Sequence, residues 1–403
     1  MAIDVREMVL PAFDLAMWDL TRSEVVEKMG WARAQHPWLA RTPIGYSVTA
    51  YEHVVGVLRD RRFHSAISLI PMMQGVDIDL RNGRPSILAT EGDVHSRLRR
   101  LVAPAFTPKA ADRLRPYMRK VVTELTDAAL PKGHVDLVAD ICEPYPIPVI
   151  CELLGAPKQD WRLFSAWATD LLRIFNNNLV VDLPAIMAAR DELTPYMQRL
   201  VEERRAEPRE DLLSDMIAIE EAGDRLTAME LVTMAEAVLV AGTDTTRNQL
   251  GCIMGLFAEH PDQWELLVND PSLAPRAVEE GMRYLGAIRG TVRVASEDLV
   301  YNNVFFPQGT IMFPSFLGAN FEPESFPEPN TFDITKEPAR SPHLTFGSGI
   351  HHCLGAWLAR AELQEALPVL AERLPRLELL EPIQWKSALF GIWGPERMVF
   401  RTP

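Results

Sequence analysis

Cysteine is scarce in this chain: Cys142, Cys151, Cys252 and Cys353 are the four in 403 residues. No two form a C-x-x-C pair, so a cysteine-rich zinc site or iron–sulfur cluster has no ligand set. Such usage also points to a reducing compartment rather than a disulfide scaffold. Long apolar runs are missing as well. The longest, near "AEAVLVAG", is broken by Glu236 and Asp244, short of the ~18 residues that a membrane span needs. The opening "MAIDVREMVLPAFDL" has early acids and lacks the basic-then-apolar order of a secretory leader. Positive charge is in deficit too. A formal net charge of −14 argues against general nucleic-acid binding. Together these absences predict a soluble cytoplasmic protein with no membrane span and no nucleic-acid partner.

A hydrophobic content of 47% is ample for a large core, and no repeat or low-complexity linker divides the chain. Residues 1–403 are therefore expected to form a single domain. "IGYSVTAYEHVVGVL" reads as a strand and then a helix, and residues 68–93 as a long irregular loop. Amphipathic helices fill Glu91 to Ala287, with breaks at "LPKGH", "LGAPKQD" and "FNNNLVVDLP". The β-branched stretch "TVRVASEDLVYNNVFFPQGTIMF" predicts a hairpin, and a proline-rich meander, one helix and terminal strands follow. The fold class is mainly α with a small β portion.

The informative cysteine lies in "LTFGSGIHHCLGAWLARAEL". Gly347, Gly349 and Gly355 bracket Cys353 and allow tight turns and close approach. Leu354, Leu358, Leu363, Leu367 and Leu370 follow at roughly helical spacing, which puts Cys353 near a helix N-terminus where a thiolate is favoured. The alternative is a buried structural cysteine in a glycine-rich turn. His351, His352 and Cys353 are adjacent, poor geometry for three ligands on one ion. A single thiolate as the only protein ligand leaves the other positions to a cofactor, and haem iron meets that requirement.

The run Phe346-Gly347-Ser348-Gly349-Ile350-His351-His352-Cys353-Leu354-Gly355 resembles the haem-binding signature of the cytochrome P-450 monooxygenases. The resemblance implies Cys353 as axial ligand to the iron of haem b, iron protoporphyrin IX, with Phe346 packed near its sulfur and His351 approaching a propionate. It implies the family's fold over essentially the whole chain, with haem between two helices, one carrying residues 241–246 and one following the cysteine.

Further segments extend the likeness. "AEAVLVAGTDTTRNQLGCIMGLF" is apolar around a polar centre, Thr243 to Thr246, which one reading makes a helix N-cap at Asp244. Against this, the apolar pattern continues upstream, and Thr245 can bond back to the Ala241 carbonyl. Ala241-Gly242-x-Asp244-Thr245-Thr246 resembles the family's oxygen-activation segment, which implies Thr245 as the alcohol that delivers a proton and Asp244 as the carboxylate behind it. Glu280-x-x-Arg283 is similar to the family's structural pair behind the haem. The arginine usual in a later "P-x-R-F" segment is here Thr331, with Lys336 or Arg340 as possible substitutes. His95 and Arg99, at i,i+4 in "HSRLRRLV", Arg293 and His343 match propionate contacts.

The substrate pocket that the resemblance implies draws on Ile70, Met72, Met73, Ala237, Val240, Ala241, Ile288 to Thr291, Leu389 and Phe390, walls suited to a bulky lipophilic molecule. Arg289 is singular. If residues 289–293 are extended, Arg289, Thr291 and Arg293 share a face, so Arg289 would meet a propionate, solvent, or a carboxylate on the substrate. Between Arg97 and Lys120 lie eight basic residues opposed only by Asp112, a local patch suited to an acidic ferredoxin.

These features predict a monomeric haem-thiolate monooxygenase that inserts one atom of O₂ into a small lipophilic substrate by hydroxylation or epoxidation. Electrons would come from NAD(P)H through a separate ferredoxin reductase and ferredoxin. The rivals are a peroxygenase using H₂O₂, which the Asp244–Thr245 pair argues against, a haem-based sensor, and a cysteine hydrolase.

Overall fold

The structure, a computed structural model, describes residues 2–13, 22–79, 83–176, 178–222, 226–386 and 392–402. Helices dominate them. The first half carries α1 (Arg22–Gln35), α2 (Tyr51–Arg59), α3 (Ile70–Met73), α4 (Gly92–Val102), α5 (Pro108–Ala129), α6 (Pro146–Leu154), α7 (Trp161–Leu172) and α8 (Leu179–Ala206). Then come α9 (Leu212–Glu221), α10 (Ala228–Glu259), α11 (Pro261–Asn269), α12 (Ala274–Tyr284), α13 (Phe316–Asn320) and α14 (Ala356–Arg373). No helix among the described residues is long and apolar enough to cross a membrane.

A five-stranded sheet runs, in spatial order, Leu39–Thr42, Gly45–Val48, Ile311–Pro314, Arg293–Ala295, Phe63–Ser65. Early and late chain segments therefore pair, and Arg293 lies opposite both Ser65 and Met312. The expected hairpin is present as Leu299–Tyr301 against Val304–Phe306. Its two turn residues, Asn302 and Asn303, both have positive φ, the conformation asparagine tolerates in a tight hairpin. The break expected over "FNNNLVVDLP" is shorter than the sequence suggests. Helix α8 begins at Leu179, where the Asn178 side chain accepts the Val181 N–H, and it continues through Pro184 and Pro195.

Apolar residues gather in two main clusters. The larger packs α4 to α12 and α14 around α10; the smaller lies under the sheet and includes Trp38, Val48, Phe63, Phe306 and Leu344. The cysteine segment bridges them, from Leu344 in the small cluster to Leu358 and Leu363 in the large one. Each buried leucine contributes roughly 1.5–3 kcal/mol, so the segment between them is pinned at both ends.

Candidate active site between α10 and the cysteine loop

Helix α10 starts with a capping box: the Glu230 N–H donates to Thr227 Oγ1 at 3.2 Å and the Thr227 N–H to Glu230 Oε2 at 2.9 Å. Arg97 of α4 also pairs with Glu230. Midway, a Cβ on Gly242 would lie 2.6 Å from Ile150 Cδ1, so a larger residue at the crossing with α6 would have to displace the Ile150 side chain. Thr243 and Thr245 donate their hydroxyls to the carbonyls of Leu239 and Ala241, at 2.7 and 2.9 Å. Those back-bonds satisfy the polar centre inside the helix. Asp244 is thus a mid-helix residue, not an N-cap.

Asp244 is buried, accepts from Asn248 Nδ2 at 3.3 Å and forms an ion pair with Arg247. Arg247 reaches on to Glu143 at 3.3 Å, whose side chain is 43% exposed. A chain of charges therefore leads from the helix centre to solvent. Most of this stretch of α10 is buried, yet Ala237, Val240 and Thr245 are half-buried and Ala241 is exposed. At i, i+3, i+4 and i+8 they form one stripe.

In the cysteine loop, Gly347 and Gly349 have φ of 68° and 72°. A Cβ on Gly349 would also collide with the Leu58 carbonyl oxygen. The Cys353 N–H donates to the Phe346 carbonyl at 2.9 Å and the Gly347 N–H to that of Leu344 at 2.7 Å. Cys353 precedes the first turn of α14 and is the one accessible cysteine; Cys142, Cys151 and Cys252 are buried. Surrounding protein pushes its thiol pKa up, and the Gly355 N–H, Arg99 and Arg360 oppose that rise. An accessible sulfur ringed by protein is the signature of an inward-facing wall.

Beside it lies a basic cluster. The His95 and His351 rings are 4.5 Å apart, and His351 Nε2 is 2.9 Å from Glu91 Oε1. His95 is buried, its Nε2 has no hydrogen-bond partner in the protein, and burial first, then His351 and Arg99, lower its pKa to about 4. Arg293 is 4% exposed and burial lowers its pKa to about 10, with Glu91 opposing. Arg99 donates to the His352 carbonyl at 2.6 Å. His343 sits elsewhere: its Nε2 is 3.3 Å from Glu279, which is clamped by Arg360 at 2.5 Å. The structure thus places His343 in a separate ion-pair group and not among the expected propionate contacts.

Glu280 and Arg283 form a two-pronged pair at 2.7 Å for each prong. Neither Lys336 nor Arg340 replaces the missing arginine. Lys336 pairs with Glu328 at 3.6 Å, and Arg340 is exposed. No second cation joins the pair: Arg283 also donates to the carbonyls of Asn320, Pro329 and Thr331 at 3.2, 2.9 and 3.3 Å, and the Asp333 N–H donates to Glu280 Oε1 at 3.4 Å.

The pocket residues divide. Ile70 is buried, Met73 packs on Ala66, Val292 and Phe313, and Ile288 packs on the smaller core. Met72 is 64% exposed. Leu389 and Phe390 lie outside the described residues. Sheet pairing begins ahead of the strand at Arg293, with Gly290 bridged to Ser315 and the Thr291 N–H donating to the Pro314 carbonyl at 3.2 Å. Thr291 accepts from Arg293 at 3.3 Å, whereas the Arg289 guanidinium lies 3.7 Å over the Trp393 ring. In the basic stretch, Arg115 and Arg119 hold Glu365, Arg97 holds Glu230, and Lys120 is 3.8 Å from Glu124. Arg100, Lys109 and Arg113 are the exposed members with no ion pair among the described residues.

Sequence reasoning missed Glu362. This α14 carboxylate is 2% exposed, interacts with the Thr246 side chain, and is driven well above the usual carboxylate range by burial. A glutamate between Ala361 and Leu363 on the apolar face was the available signal. Sequence reasoning also missed Glu279 and Arg360.

This donor set fits a flat, iron-bearing dianion. It offers one accessible sulfur, an unpartnered buried His95 Nε2, and four basic side chains around the single carboxylate of Glu91, enough for two propionates. No group of three His, Cys, Asp or Glu side chains among the described residues could hold a metal ion.

Comparison with known proteins agrees with this chemistry. The sequence model described as Cytochrome P450 matches residues 47–374. Luteothin monooxygenase of Streptomyces thioluteus is 36% identical over 90% of this chain and 90% of its own. Mycinamicin IV hydroxylase/epoxidase of Micromonospora griseorubida is 35% identical over 94% and 92%. The solved structure of CxnD, a P450 for C–S bond formation in chuangxinmycin biosynthesis, superimposes with a TM-score of 0.87 at 30% identity, covering 98% of each chain. On these matches the chain belongs to the cytochrome P450s and is a haem-dependent monooxygenase.

Proposed function

We propose that Cys353 is the axial ligand and that His95, Arg99, Arg293 and His351 hold the haem propionates, in one catalytic domain acting as a cytoplasmic monomer. The observation that carries this reading is the accessibility of Cys353 alone among the cysteines, together with the accessible stripe on α10. Phe346, Gly347 and Gly355 shape the loop around the sulfur, and Ala241 gives room on the opposite wall. When bound, haem supplies the redox chemistry that activates O₂, with electron density from the thiolate favouring O–O cleavage.

The protein's part is proton delivery and positioning. Thr245 rests with its hydroxyl on the Ala241 carbonyl, and a small rotation turns that hydroxyl toward the stripe. Asp244 recharges it with protons, drawing on solvent past Arg247 and Glu143. Ala237 and Val240 exclude water and orient a lipophilic substrate for hydroxylation or epoxidation. The alternative reading for Arg289, a substrate carboxylate contact, loses support because its guanidinium is stacked on Trp393. Electrons reach the site from NAD(P)H through a reductase and an acidic ferredoxin, which docks on Arg100, Lys109 and Arg113.

The test is turnover with a surrogate [2Fe–2S] ferredoxin and reductase. Arg100→Glu with Arg113→Glu should slow reduction at low ionic strength, and the deficit should shrink at high salt. Equal rates for both proteins at low salt remove the docking assignment.

A further inference from the structure

Four side chains join the protein surface to the cysteine loop. Trp357, on the first turn of α14, is 51% exposed. Arg360, one turn on, places its guanidinium 5.6 Å from the Trp357 ring and 4.5 Å from the Phe346 ring. Phe346 in turn receives the Cys353 N–H on its carbonyl at 2.9 Å. Behind Arg360, Glu279 of α12 accepts two bonds from it, at 2.5 and 3.0 Å, and lies 3.3 Å from His343. A guanidinium stacked on an aromatic face and forked by a carboxylate is fixed in place.

We propose that Arg360 and Glu279 act as an opposed pair of charges that tune the reduction potential of the Cys353-ligated iron. Arg360 is the nearer to the loop and Glu279 stands behind it, so the net field at the sulfur is positive. A positive charge there stabilises the extra electron of the reduced state; the carboxylate moderates the effect. Both Arg360 and Glu279 act through Phe346 and the thiolate, so both are positioning residues, not catalytic ones.

The inference rests on Cys353 as the iron ligand. Its test is the midpoint potential of the haem-loaded protein and two variants, measured by spectroelectrochemical titration. Arg360→Gln should lower the potential, giving about a threefold higher ferric-to-ferrous ratio at a fixed electrode setting, roughly 30 mV for a one-electron couple. Glu279→Gln should raise it. A purely structural role would move both in the same direction, and parallel shifts or no shift overturn the proposal. If Arg360→Gln does not retain haem, Glu279→Gln decides alone: a rise supports the proposal, and a fall or no change overturns it. The reduced, CO-bound spectrum of the wild type separates the two layers. An imidazole-type band removes the ligand assignment itself, while a thiolate band with parallel shifts removes only the charge pair.

Discussion

Replacing Arg283 tests how much the Glu280 pair and its backbone anchors hold in the absence of a second arginine. The guanidinium is 7% exposed and serves the Glu280 carboxylate and three backbone carbonyls at once. Arg283→Gln leaves a carboxylate with 13% side-chain exposure and no cation, a loss of about 3–5 kcal/mol for a broken buried pair. An unfolding entropy of about 2.1 cal/mol/K per residue gives roughly 0.85 kcal/mol/K for 403 residues. The expected fall in melting midpoint is therefore about 4–6 °C. Arg283→Lys keeps the charge but loses the fork, and should fall by about half as much. Lys336→Ala and Arg340→Ala should move the midpoint by less than about 1 °C, since their contacts are exposed. The assay is haem release and calorimetry at one fixed scan rate. An undisturbed Arg283→Lys, or a Lys336→Ala as damaging as Arg283→Gln, would refute the reasoning.

Three further outcomes follow from the geometry. Thr245→Ala should sustain O₂ consumption but divert it to peroxide, so product formed per NAD(P)H oxidised should drop; an unchanged ratio clears Thr245 of proton delivery. Gly349→Ala combines a left-handed backbone with a clash against the Leu58 carbonyl and should cost at least about 2 kcal/mol, read as a lower melting midpoint and lost haem; a stable, fully loaded variant contradicts the loop geometry. Glu279 is lowered to about 2 from 4.5 by His343 and Arg360 against the cost of burial. Its stabilisation is therefore complete above pH 4.5 and lost as pH falls toward 2. With 41% side-chain exposure, screening leaves about 1 kcal/mol. Glu279→Gln should flatten that acid limb, and an unaltered acid profile would show the pair contributes nothing.

Much of the architecture was legible because local chemistry and fold agree. The leucines after Cys353 mark the buried face of α14, and Asn302-Asn303 supply the turn that their hairpin requires. The continuity of α10 was legible too, since Thr245 could satisfy its own hydroxyl on Ala241. What escaped notice depends on distant partners. His343 has a propionate-like place in the sequence, but Glu279, 64 positions earlier (343 minus 279), captures it. Arg289 was read from strand alternation, which says nothing of Trp393, more than a hundred positions on, whose ring its guanidinium covers. Carbonyls leave no mark in a sequence, so nothing in it pointed to Asn320, Pro329 and Thr331 as the acceptors for Arg283.

The central claim is that the Cys353 thiolate holds the haem iron, and the absorption spectrum of the reduced, CO-bound protein tests it most directly. Wild type should show the thiolate-ligated Soret position, and Cys353→His should retain some haem while moving to an imidazole-type band. A wild-type spectrum without the thiolate band, or a Cys353→His variant that keeps it, would contradict the account.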